Sequence, residues 1–292
     1  MAQTAEPEQE GVLRPTHARL AIGSEQHKQL FCAVLLDTFD PYRPAVIDWP
    51  KLAPEAEARL KSLPFWGVAV ETEENAGIRM QALADRTSDP LIRRALALNA
   101  FEERRHREVL GHMMRFYGIE LAGDITVAPP RRARWAFLRT GYGECFDSFF
   151  AFGLFDMARR ANFFPPELVA VFEPVIQEEA RHNLFFVNWA AYTRAALGWW
   201  RRPGFSVQCL AALVVQAANR LSSAKAVDGN NFTRTGGTAL GLDLDPRRFL
   251  ALCLAENERR LAAYDARLLR PRLMPAAARV AIRLLPRGGA PR

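Results

Sequence analysis

Residues 102–106 read Glu-Glu-Arg-Arg-His, and residues 178–182 read Glu-Glu-Ala-Arg-His. The two strings share the pattern Glu-Glu-x-Arg-His and stand 76 positions apart. The chain has five histidines, and two of them fall here. Each string lies inside a long stretch with the apolar spacing of a helix, where residues i and i+3 share a face about one turn apart. Glu103 and His106 can therefore point together at one metal ion, and Glu179 and His182 at a second. Two Glu-x-x-His helices, joined by one Glu from each of two further helices, make a carboxylate-rich site for a metal pair. Either string alone also fits a solvated face laced with i,i+3 ion pairs; the repetition argues for the metal site.

The two missing ligands are sought on the helix preceding each string. The first such helix offers Glu71, Glu73 and Glu74. On a helical wheel Phe65, Trp66, Ala69, Ala76, Met80, Leu83 and Ala84 define one apolar face, with Val70 at its edge. Glu73 lies near the centre of that face, and Glu71 and Glu74 point away from it. A carboxylate amid an apolar stripe is costly unless it is paired or binds a cation, so Glu73 is the expected ligand. The second helix offers Glu144 and Asp147 in a segment apolar nearly all round, as suits the centre of a bundle. Glu144 is preferred because the longer side chain can bridge or chelate. Asp147, one turn on, is the alternative ligand or an acceptor behind the ligands.

The rest of the chain fits this frame. Helical apolar spacing runs over about 55–62, 64–86, 90–117, 133–162, 166–197, 205–228 and 246–268, with a short helix at 29–39. Alternating strand patterns are nearly absent, which predicts an all-helical protein. Asp89 followed by Pro90, and Pro165 followed by Pro166, read as helix starts. Residues 40–54, 123–132 and 229–246 read as irregular connections. The expected organisation is an N-terminal extension over 1–60, a dimetal four-helix unit over 61–200, additional helices packed on it over 201–270, and a basic tail over 271–292. The tail carries an apolar stripe (Val280, Ile282, Leu284, Leu285) that could touch a membrane surface or a partner helix, and reads mainly as a solvated end. His17 and His27 fall in a weakly structured N-terminal region. His112 is off the metal face, and Glu256 and Glu258 read as solvated or salt-bridged.

Composition excludes several classes. The 292 residues are 49% hydrophobic and 24% charged, ordinary for a globular chain. Cys32, Cys145, Cys209 and Cys253 lie far apart with no Cys-x-x-Cys pair, which argues against a zinc ribbon or a disulfide scaffold. No secretory leader and no run long and apolar enough for a membrane span are read, so a cytoplasmic location is expected. The net charge of +7 rests on 35 Arg and 4 Lys. No nucleic-acid-binding motif accompanies it, and nucleic acid is not an expected partner.

With Glu73 followed 30 residues later by Glu103 and Glu144 followed 35 residues later by Glu179, the chain resembles the ferritin-like diiron carboxylate superfamily. It is most similar to the oxygen-activating branch, which includes ribonucleotide reductase small subunits, acyl-carrier-protein desaturases and multicomponent monooxygenases. The stretch Glu144-Cys-Phe-Asp-Ser-Phe-Phe-Ala-Phe resembles the third-helix segment of the reductase small subunits. The likeness covers roughly residues 64–190. It implies a ferritin-like four-helix bundle with additional N- and C-terminal helices. It also implies two iron ions, with manganese an option at one or both positions, held by Glu73, Glu103, His106, Glu144, Glu179 and His182. In that family the acid before the metal Glu often holds the metal-bound His of the opposite half. Glu102 and Glu178 occupy that position, and Arg105 and Arg181 are expected to pair with neighbouring acids. The activity implied is an O₂-dependent oxidase, hydroxylase or desaturase acting on a small apolar or carrier-linked substrate. Phe146, Phe149, Phe150, Phe152 and Phe155 could line its dry pocket or be plain core. An acidic electron donor such as a ferredoxin would suit the basic surface, and a homodimer is a further candidate assembly. Leu110 stands where the reductases carry a radical Tyr, which disfavours a radical generator of that type. Iron handling and a non-catalytic helical scaffold are the alternatives.

Overall fold

The computed structural model describes residues 20–120, 127–225 and 245–286, and among them every regular element is a helix. In chain order these are α1 (Glu25–Leu36), a 3-10 turn (Pro44–Val46), α2 (Pro54–Ser62), α3 (Trp66–Ala84), α4 (Pro90–Phe116) and α5 (Ala133–Arg160). They continue with α6 (Pro166–Ala196), α7 (Arg202–Lys225), α8 (Pro246–Leu261) and α9 (Leu273–Leu284). The expected connection at 229–246 falls almost wholly outside the described residues, as does the first half of 123–132.

Local chemistry sets the boundaries. Asp89 accepts from the amides of Leu91 and Ile92, and Pro90 fills the first helical position where no amide partner is needed. Ser24 caps α1 and Asp245 caps α8 in the same way. Gly118, with φ of 64°, turns the chain out of α4 in the left-handed region open to glycine.

Helix α3 lies along α4, α5 packs on α3 and α6, and α4 meets α6. Close approach of α5 to α6 depends on Gly141, where a Cβ would run into the Phe186 ring. Helix α1 packs on α4 and α6, α7 and α8 pack on α5, and α9 packs on α8. Two large apolar clusters result, with a smaller third around Phe149, Cys253 and Ala278. One gathers Phe31, Met80, Leu96, Phe137, Leu184 and Phe185; the other gathers Trp49, Leu60, Val70, Val109, Met113 and Leu168. Along α3, α4 and α6 the acid and histidine positions fall between the two clusters, which sets the polar site at mid-helix between apolar ends.

Two expectations need correction. His27 is not in a weakly structured region: it sits on α1, fully buried, with Nδ1 accepting from the Gly23 amide and Nε2 bonded to Asn188 Oδ1 at 3.0 Å. The 271–292 tail is not simply a solvated end. Its first half is helix α9, with Ala278 buried and Met274 packed against the Phe149 cluster, while Val280 and Leu284 face outward.

Candidate metal centre

Both Glu-Glu-x-Arg-His strings are buried, which removes the solvated-face reading. Glu102, Glu103, Arg105, His106, Glu178, Arg181 and His182 are all nearly sealed from solvent. The two strings engage each other crosswise. His106 Nε2 lies 2.7 Å from Glu178 Oε2, and His182 Nε2 lies 2.8 Å from Glu102 Oε2. Arg105 donates to Glu178 Oε1 at 2.6 Å, and Arg181 donates to Glu102. Each acid thus holds the histidine and arginine of the opposite helix. A carboxylate on one imidazole nitrogen fixes the tautomer and turns the other nitrogen toward a metal.

The other nitrogens, both Nδ1, point into one carboxylate cluster. His106 Nδ1 lies 3.4 Å from Glu73 Oε2 and 3.2 Å from Glu179 Oε1. His182 Nδ1 lies 3.0 Å from Glu103 Oε1 and 4.0 Å from that same Glu179 oxygen. Glu179 therefore stands between the two rings, whose centroids are 5.6 Å apart. One ligand atom each from Glu73, Glu103, His106 and Glu179 fall within 4.8 Å of one another. Glu144 stands outside that tight group of four. Both of its carboxylate oxygens are nevertheless buried with no hydrogen-bond partner, as are both Nδ1 atoms and Glu103 Oε1. Buried polar atoms are rarely left unpaired, and these inward-turned imidazole and carboxylate atoms are a group that could hold a metal ion.

Electrostatics agree. Burial pushes the Glu103 carboxyl up to about 8, with Glu179 and Glu73 adding to it against His182. Burial raises Glu144 well above the carboxylate range, and Glu103 and Glu179 raise it further. Burial disfavours the charged form of both histidines, yet the surrounding carboxylates win and raise them well above their usual value. Glu178 goes the other way: burial opposes its charge, but His106, Arg105 and Arg181 hold it down to about 2. Without cations, protons gather where cations would sit.

A strap over residues 38–42, between α1 and the 3-10 turn, closes this end of the centre. Arg105 donates to the carbonyls of Asp40 and Tyr42, and Arg181 to the carbonyl and hydroxyl of Thr38. The Tyr42 hydroxyl donates to Glu178 Oε2 at 3.3 Å, and its ring lies 3.8 Å under the Arg105 guanidinium. Only Thr38 and Tyr42 engage the centre through their side chains, and two such residues form no motif in the sequence.

A cavity of about 220 Å³ reaches the centre at Glu73 and His106. Its walls are apolar, from Leu60, Trp66, Leu110, Phe155, Leu168 and Phe172 among others, and its only charged or ionisable lining residues are Glu73 and His106. Of the five phenylalanines considered for a dry pocket, Phe155 alone lines it. Phe149 and Phe152 are core, Phe150 stacks on Phe249, and Phe146 lies under Arg220. Asp147 needs the clearest correction. It is exposed and paired with Arg220, whose Nε is 2.8 Å away, so it is neither a ligand nor an acceptor behind the ligands. Glu71 is exposed, and Glu74 pairs with Arg107 at 2.9 Å, in line with the wheel that singled out Glu73. Glu256 is buried and salt-bridged to Arg259 and Arg260.

Compared with known proteins, the chain matches no protein family, no curated protein and no solved structure.

Proposed function

We propose that the protein is a dimetal carboxylate oxidoreductase of the ferritin-like kind, built on the α3–α6 bundle and acting with O₂ on an apolar organic substrate. The observation that carries this reading is the crosswise seating of the two histidines, which turns both Nδ1 atoms into one carboxylate cluster. Glu73, Glu103, His106, Glu144, Glu179 and His182 would hold the ions. Four carboxylates and two neutral imidazoles carry a charge of −4, which two divalent cations cancel. A hard, oxygen-dominated donor set with one imidazole per ion suits iron or manganese. Such ions, when bound, supply the electrons and open positions for reducing O₂.

The chain's own residues do the rest. Glu102 and Glu178 orient the imidazoles through Nε2, while Arg181 and Arg105 donate to their other oxygens and fix the carboxylates in place. The apolar cavity excludes water on the His106 side and seats an apolar molecule against the centre. A second reading is a one-ion site, favoured by the tight group of Glu73, Glu103, His106 and Glu179.

The test is metal content per chain on protein expressed with added iron, followed by anaerobic reduction and exposure to O₂ with optical monitoring. Two irons per chain and rapid O₂ uptake are expected. One ion per chain would favour the mononuclear reading. A folded protein that takes up no stoichiometric metal would overturn both and leave a helical scaffold.

A further inference from the structure

Helix α7 shows solvent a face that a water-soluble surface does not need. Val207, Leu210, Val214 and Leu221 are each more than half exposed. With exposed Ala218 they follow the spacing i, i+3, i+7, i+11, i+14, one stripe about 21 Å long. At its N-terminal end Trp199 and Trp200 are 81% and 67% exposed. Around them lie Arg134, Arg194, Arg201 and Arg202. Arg201 stacks over Trp200, Arg134 lies over Phe205, Arg194 donates to Ser206, and Arg202 donates to the Leu197 and Ala195 carbonyls. None of the four arginines forms an ion pair among the described residues. From 198 to 225 the sequence contains no Asp or Glu.

We infer that this face is a peripheral docking surface for an anionic lipid bilayer. Helix α7 lies in the interface plane, with the tryptophans at headgroup depth and the arginines on lipid phosphates. The charge pattern selects this occupant. A second copy would bring the same arginines, and α7 has no carboxylate to offer them. A nucleic acid would use the arginines and tryptophans but has no use for the aliphatic stripe. A helix with one apolar face, Trp at the boundary and Arg beside it is the pattern of an interfacial helix. No helix among the described residues is long and apolar enough to cross a membrane, so the contact is lateral. The inference is independent of the metal centre.

The test is co-sedimentation of the full chain with phosphatidylcholine vesicles, with and without one-third phosphatidylglycerol, at low and high salt. Binding is expected to the anionic vesicles only, and to weaken as salt rises. Trp199→Ala with Trp200→Ala should abolish most of it. Arg201→Glu should lower partitioning by about fivefold or more, the effect of one basic charge near such a surface. Leu210→Glu with Val214→Glu provides a second, independent probe. All five positions project into solvent, and circular dichroism checks that each variant stays folded. The inference is overturned if wild type stays in the supernatant with anionic vesicles at low salt, or if the variants bind as well as wild type. A stripe-dependent dimer without vesicle binding, or single-stranded nucleic acid that outcompetes vesicles, would overturn it as well.

Discussion

The two halves of the centre carry the same five-letter pattern and end in different surroundings. On the α4 side, His106 and Glu73 form part of the wall of an apolar cavity, with α2, α5 and the start of α6 supplying further wall. On the α6 side, His182 faces Glu103 and Glu179, and neither it nor Glu144 reaches that cavity. A repeated motif therefore fixes how the ligands are seated. Elements outside the repeat decide which half borders the cavity.

Replacing a histidine would test that division most severely. His106→Ala and His182→Ala should each lose at least half of the bound metal, measured by elemental analysis, with helical content largely kept. Binding of an apolar fluorescent probe should change in His106→Ala and be preserved in His182→Ala. Equal probe behaviour in both would dissolve the asymmetry. Glu178→Gln and Glu102→Gln come next. Each leaves a buried arginine facing a neutral amide, costs about 3–5 kcal/mol in thermal or denaturant unfolding, and lowers metal affinity about 10–100-fold. Glu178→Gln should be the worse of the two, because Tyr42 and Arg105 lose the same partner.

Filling the cavity isolates the open half. Leu110→Trp should weaken the apolar probe about tenfold while metal content stays at the wild-type value. Proton release on metal loading probes both halves together. Without metal, burial raises Glu103 (to about 8) and Glu144, and the surrounding carboxylates raise His106 and His182, so the cluster as a whole carries protons at neutral pH. Incoming ions must displace them, so metal affinity should rise with pH toward 8 and fall below it. Titration calorimetry in buffers of different ionisation heat reads the count directly, and zero release would contradict the protonated cluster. The smallest effect belongs to Glu71→Gln and Glu74→Gln, within about 0.5 kcal/mol of wild type and without loss of metal. A loss from either that matches Glu73→Gln would move the ligand to another helix face.

What the sequence made readable is what one helix decides for itself. The i,i+3 spacing of Glu103 with His106 and of Glu179 with His182 is a property of a single helix, and so is the inward position of Glu73. The choice between Glu144 and Asp147 was not readable, because α5 is apolar nearly all round. Arg220, 73 positions away on α7, draws Asp147 outward. His27 was misjudged for the same reason, since its partner Asn188 lies 161 positions on. The cavity was not readable because α2, legible as a helix but assigned to the N-terminal extension outside the four-helix unit, supplies Leu60 to its wall.

The 38–42 strap holds both arginines mainly through main-chain carbonyls, and a carbonyl is the same in every residue. Its length therefore matters more than its spelling. Asp40→Ala keeps the acceptor for Arg105 and should leave the centre intact. Deleting one residue between Leu36 and Tyr42 shifts the following carbonyls by about 3.3 Å along the chain and unhooks Arg105, Arg181 or both. Along this strap, distant kin would share a count of residues from α1 to the 3-10 turn where they share no letters.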